Sequence, residues 1–226
     1  MIKRKAIKKY YFTVEGETEK WYLDWLRDRI NECADSDYKV SFDVLVQKNP
    51  LKRAKSLAVT GKTEIWHLSD YESDEPIHVR QFIETMDNMK AASSLGKQIS
   101  YKFGYTNLTF DLWIILHRIA CNGVQAHRKN YINALNRAYD EKFESMDEYK
   151  HEDNFKRCLR KLSLDNVRTA IARADAIMER NRDNGYRLCE YKGYKYYKEN
   201  PSLAIHEIVG KILEDCGLAC ETDMLV

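Results

Sequence analysis

Hydrophobic positions along this chain switch repeatedly between two spacings. Residues 9–14 form a short run of aromatic and β-branched side chains that predicts a strand, ending directly at the acidic turn Glu15-Gly16-Glu17. From Thr18 the apolar positions take helical period, with Tyr22, Leu26 and Ile30 on one face and Trp21 and Trp25 flanking it. Residues 40–46 alternate again, with Val40, Phe42, Val44 and Val46 pointing one way, and predict a second strand. A modest helix is expected over 49–61 (Leu51, Ala54, Leu57, Ala58), a third strand over 63–68 and a helix over 76–92 through Phe82, Ile83, Met86 and Met89. Residues 99–103 give a fourth short strand.

Strands that alternate with helices predict an α/β fold with a parallel four-stranded sheet flanked by helices. After Phe110 the pattern is mostly helical. Leu108, Leu112, Ile115, Leu116 and Ile119 mark one apolar face, 128–140 and 152–161 read as surface helices, and Asp165 is a plausible cap for a helix carrying Val167, Ile171, Ala174 and Met178. The last helix is expected to open with Asn200 as cap and Pro201 at its first position, and to stop at Gly217. The chain thus divides into a core over 1–120 and a helical extension over 121–226 packed on it.

Apolar residues make up 44% of the chain, enough for a sizeable core, and charged residues 32%. The net charge of +2 excludes a protein that coats nucleic acid by bulk charge, so nucleic-acid contacts need local patches. Two patches qualify: Lys3, Arg4, Lys5, Lys8 and Lys9 at the amino end, and Tyr191–Lys198, where Lys192, Lys195 and Lys198 alternate with Tyr191, Tyr194, Tyr196 and Tyr197. The second either stacks on bases and holds phosphates or forms an exposed hairpin. The six cysteines have no paired spacing and read as reduced thiols, Cys216 and Cys220 near His206 included. No apolar stretch follows the basic amino end and no run reaches membrane length, so a cytoplasmic protein without a signal peptide or membrane span is expected. A homo-oligomer is compatible with this composition.

Both acidic clusters follow strands, and ligands of parallel sheets sit beyond the carboxyl ends of the strands. Mg²⁺ wants carboxylate oxygens, and acids on neighbouring strand ends can converge on one ion. Glu15 ends the first strand. Asp70 and Glu72 follow the third at i and i+2, so both can face one ion, and Gly16 would allow a sharp turn beside them. Acids after strands are also common helix caps, a role open to Glu17 and Asp74.

The segment Val14-Glu15-Gly16-Glu17-Thr18-Glu19 resembles the EGxTE signature of RloB-like proteins, and Asp70-Tyr71-Glu72 lies where that family has a DxD motif. Asn107–His117 resembles its Asn-Pro-x-Phe-Glu-x-Trp-Leu-Leu-Leu-His segment, and Asn200-Pro201-Ser202 with His206 and Val209 its carboxy-terminal element. The resemblance touches the whole chain in the family's order. It implies a Toprim core and a Mg²⁺- or Mn²⁺-dependent nuclease acting on DNA or RNA, toxic in anti-phage defence and partnered by an ABC/AAA-type ATPase. It also implies Glu15 as acid/base or metal ligand and Asp70 and Glu72 as metal ligands. Here Glu72 stands for the second Asp, Leu108 for the usual Pro and Asp111 for the usual Glu. The rival expectation is a non-catalytic Toprim binding or sensor module.

Other candidates carry two readings each. Glu19, one helical turn after Glu15, is a second metal ligand and catalytic acid or a salt-bridging residue. Asp111 is a site acid and metal ligand or a helix amino-terminal charge. His117 and His206 read as packed histidines, and Thr106 and Asn107 either line the site or make a turn.

Overall fold

The computed structural model describes residues 5–219; Lys3, Arg4 and Cys220 lie outside them. Strands and helices alternate as β1 (Ile7–Val14), α1 (Glu17–Glu32), β2 (Lys39–Val46), α2 (Pro50–Ser56), β3 (Thr63–Tyr71), α3 (Pro76–Ala92) and β4 (Ile99–Asn107). The sheet order is β2-β1-β3-β4, with every neighbouring pair parallel. Helices cover both faces, as an all-parallel sheet requires.

A mostly helical half follows: α4 (Asp111–Leu116), a 3₁₀ turn (Arg128–Asn130), α5 (Tyr131–Tyr139), α6 (Met146–Tyr149), α7 (Glu152–Leu159), α8 (Leu164–Asp183), the hairpin β5 (Cys189–Tyr191) and β6 (Tyr194–Tyr196), and α9 (Ile205–Asp215). Among the described residues no helix is long and apolar enough to cross a membrane.

Strand parity sorts the core into two layers. Phe12, Val14, Phe42, Trp66 and Leu68 face one way and join α1 and the helical half in a single buried apolar cluster. Ile65, Tyr71, Tyr101 and Tyr105 face the other way, under α2, α3 and the hairpin. In α4 every residue from Leu112 to Leu116 is buried, so it is a central helix rather than an amphipathic one. The segments expected to be surface helices also give residues to this core, among them Tyr131, Leu135, Phe155 and Cys158.

Several boundaries differ from expectation. β3 runs through Tyr71 and β4 through Asn107, so Asp70 is inside its strand. α2 ends at Ser56. Ser163, not Asp165, caps α8 through a reciprocal pair with Asn166. The last helix begins at Ile205 rather than Pro201. Residues 202–204 instead lie beside the end of β4: Asn107 N–H donates to Ser202 O (2.9 Å) and Ala204 N–H to Tyr105 O (2.8 Å). These bonds give backbone groups at the edge strand partners that a helix starting at Pro201 would have withheld. Gly217, at φ +70°, stops the helix as expected.

Asn107 is a clamp in this arrangement. Its buried Nδ2 donates to Lys198 O at 2.7 Å, with Tyr197 O and Glu199 O each at 3.3 Å. Asn107→Ala leaves buried carbonyls without a donor and is expected to cost about 2 kcal/mol. Urea unfolding measures the loss, and amide exchange should quicken over 197–204. A fully stable variant with unchanged exchange would refute the clamp.

Candidate functional site

The carboxyl ends of β1, β3 and β4 meet at one edge of the sheet, and so do the acids that follow them. The register sets Val14 beside Leu68, which brings Glu15 over Ser69. Ser69 Oγ donates to Glu15 Oε1 at 2.8 Å, while Asp70 N–H lies 3.5 Å from Oε2. Parity turns Asp70 the other way, with Trp66 and Leu68, toward the side covered by α1 and α4. There it meets Glu19 from α1 and Asp111 from the start of α4, whose charges both act on it.

Glu19 is 6% exposed and Asp111 is fully buried. Thr18 Oγ1 donates to Glu19 Oε2 at 2.9 Å and Thr109 Oγ1 to Asp111 Oδ2 at 2.7 Å. Gly16 has extended backbone rather than a sharp turn. Its use is room, since a Cβ there would stand 3.1 Å from Glu19 Oε2.

One cation is set among these acids. Lys150 Nζ lies 3.1 Å from Asp111 Oδ2, and its charge acts on Glu19 and Asp70 too. Asp111 Oδ1 is buried and makes no well-formed hydrogen bond among the described residues, although the Tyr149 hydroxyl, itself unpartnered, stands close enough to interact with this carboxylate. An unpaired buried carboxylate oxygen is costly and suits a group that a further cation would complete.

Burial, and then the charges of Glu19 and Glu15, hold the Asp70 carboxyl well above the usual carboxylate range, with Lys150 opposing. Burial likewise raises Glu19, opposed by its own backbone N–H, Thr18 and Lys150. Burial raises Glu15, opposed by Ser69.

Glu72 stands apart. It lines the same cleft as Asp70 but is engaged by His78 Nε2 and Arg128 Nη1, each 3.5 Å from its Oε2. Beside Glu15, Asp70 and Glu72 opens a cavity of about 340 Å³, walled by Gln47, Lys48, Asn49 and Lys52 after β2 and by Gln81 and Asn88 of α3. Among the described residues no three acid, histidine or cysteine side chains are grouped so that they could hold a metal ion as they stand. The donors themselves, carboxylate and hydroxyl oxygens, are nonetheless those a hard divalent cation takes, and the orphaned Asp111 Oδ1 offers it a free ligand.

A family of RloB-like proteins matches residues 10–212. The chain belongs to the RloB-like family. Neither a curated protein nor a solved structure matches it.

In this RloB-like chain the other sequence candidates divide. His117 is a core histidine: Nδ1–H donates to Trp113 O (2.8 Å), Tyr22 O–H donates to Nε2 (3.2 Å), and burial lowers its pKa to about 4. His206 is buried against α8, with Nε2 3.3 Å from Asp175. Thr106 is buried in β4 and bridged to Leu203.

The segment Tyr191–Lys198 is the hairpin, turned at Lys192-Gly193 with both φ positive. Tyr194 packs edge-on against Phe103 at 5.8 Å and Tyr196 against Phe82 at 5.0 Å, so both rings serve the sheet layer. Lys192, Lys195 and Lys198 are exposed. Lys8 and Lys9 bond to Asp215 O and pair with Asp43, and they lie on β1 before its acidic end.

Lys48, Ser69 and Lys150 escaped the sequence reading. Ser69 adjoins a motif and was open to notice. Lys150 carries no signal, since its helix meets Asp111 only through the fold.

The raised carboxyls set a pH dependence. They keep protons in the folded chain where the unfolded chain has lost them, so stability falls as pH rises from the ordinary carboxylate range near about 4 through the raised values. Lys150 stays protonated in both states across this window and adds no slope. Metal-free protein should melt at lower temperature as pH rises from acid to neutral, and Asp70→Asn should flatten the decline and add about 1 kcal/mol at neutral pH. Parallel melting curves for the two proteins would contradict it.

Proposed function

We propose that this RloB-like protein is a Mg²⁺- or Mn²⁺-dependent, Toprim-type nuclease that cleaves phosphodiester bonds of DNA or RNA and acts as a toxic effector in anti-phage defence. The observation that carries the reading is the meeting of four acids at the carboxyl ends of three parallel strands, Glu19 and Asp111 buried and Glu15 and Asp70 half-buried at the cleft, against their mutual repulsion. Such an arrangement is relieved by protons, by Lys150 or by a bound cation, and a divalent ion would relieve more of it than one ammonium. When bound, the cation would polarise a phosphate oxygen and acidify a water.

The chain's own residues supply the rest. Asp70, with Glu19 and Asp111 behind it, would hold the cation. Glu15, fixed by Ser69 and raised by burial, takes the proton of the attacking water as the phosphorus–oxygen bond to the leaving group breaks. Lys48, whose charge acts on Glu15, and Lys52 form a basic wall to the cleft suited to a phosphate on the far side of the acids. The cavity is of a size to take a nucleotide. Lys192, Lys195 and Lys198 add exposed charge for the backbone beyond it. Tyr194, packed on Phe103, contributes to this surface by supporting the hairpin rather than by stacking on a base.

A second reading, a non-catalytic binding or sensor module partnering an ABC/AAA-type ATPase, draws on Glu72. Its engagement by Arg128 and His78 leaves the DxD-like pair with one acid directed to the cluster.

Purified chain incubated with Mg²⁺ or Mn²⁺ should cut plasmid DNA or tRNA, alone or with an ATPase encoded beside it. Glu15→Gln and Asp70→Asn should each lower the rate by at least about 10²-fold. Cleavage that survives the double substitution would overturn the site, and metal binding without cleavage of any substrate would favour the second reading.

A further inference from the structure

Lys150 lies in the helical half, directly after α6, yet its ammonium reaches across to the sheet edge. It touches Asp111 Oδ2 and leaves Oδ1 of the same carboxylate unpartnered. An ammonium is one positive charge on a flexible stem, whereas three acids face it here. It therefore neutralises the inner acids in part and satisfies one oxygen where a divalent cation would take several. The side chain is 36% exposed, so it is not sealed in among the acids it faces.

We infer that Lys150 is a tethered counter-ion of the inner acids Glu19, Asp70 and Asp111, competing with the divalent cation for them and withdrawing when the metal binds. This rests on reading the cluster as a metal centre. The built-in cation holds the acids together while the site waits for metal. Once displaced, the ammonium remains tethered at the mouth of the site.

The test is calorimetric titration with MnCl₂, without nucleic acid, of the wild type, Lys150→Met and Lys150→Arg, with melting curves of each at zero and millimolar Mn²⁺. Lys150→Met should bind Mn²⁺ about tenfold more tightly than wild type, because no charge has to be displaced. It should melt lower than wild type without metal and gain more from Mn²⁺. Lys150→Arg, which keeps the charge, should bind no more tightly than wild type.

Wild-type binding with equal or weaker binding by Lys150→Met overturns the tethered counter-ion and leaves the metal centre standing. Binding by none of the three overturns both. A Lys150→Met chain that is unfolded with and without Mn²⁺ also overturns the inference, since a cation able to take the lysine's place would restore the fold.

Discussion

The carboxyl edge of this sheet is governed by one constraint: like charges must be kept together, two of them out of water and two half-buried. Glu15, Glu19, Asp70 and Asp111 reach that edge from different elements, and burial makes their repulsion expensive. The surroundings read as answers to that expense. Ser69, Thr18 and Thr109 each donate a hydroxyl to one carboxylate, and Lys150 supplies charge. Gly16 supplies room. A fold under no functional demand would have placed neutral side chains there, because a buried polar group not fully satisfied lowers stability wherever it occurs.

The parallel sheet explains why the acids meet at all. All four strands end on the same side, and the turns after β1 and β3 present backbone and side chains to one volume. Strand parity then divides labour. Glu15 and Ser69 lie toward the cleft bounded by α2 and α3, while Asp70 points toward α1 and α4. Asp70 thereby joins an open half, the cleft of about 340 Å³, to a closed half, where Glu19 and Asp111 are buried. The helical extension gives more than cover, since α4 carries Asp111 and the residue after α6 carries Lys150.

Much of this was legible in the sequence. Period-two and period-3.6 runs located the four strands and the helices between them, because each burial face imposes its own spacing. Glu15 and Asp70 could be named because they stand at strand ends, and Glu19 because it lies one helical turn after Glu15. The failures have physical causes. The turn before α9 looked like a helix start because Asn-Pro commonly opens one, but pairing with β4 claimed those residues. The segment Tyr191–Lys198 was left open between a stacking surface and a hairpin, because composition cannot tell an outward ring from one turned onto Phe82 or Phe103. Lys150 was invisible because long-range charge pairing leaves no periodic trace.

The departures from the family pattern acquire meaning in this light. Leu108 stands where the pattern has Pro, and its φ of +66° is one that proline cannot adopt, so the turn from β4 into α4 is made differently here. That turn delivers Asp111, and the shorter acid at this position ends against Lys150 with one oxygen to spare. At position 72 the change runs the other way. The longer side chain extends to Arg128 and His78 and ties the acidic end of β3 to the loop before α5. Against the pattern this chain resembles, the acid at 111 is the shorter one, on the closed side, and the acid at 72 the longer one, on the open side. On the proposed reading the two changes divide the acids into an inner set around Asp70 that would hold a cation and a Glu72 that, through Arg128 and His78, organises the rim of the cleft.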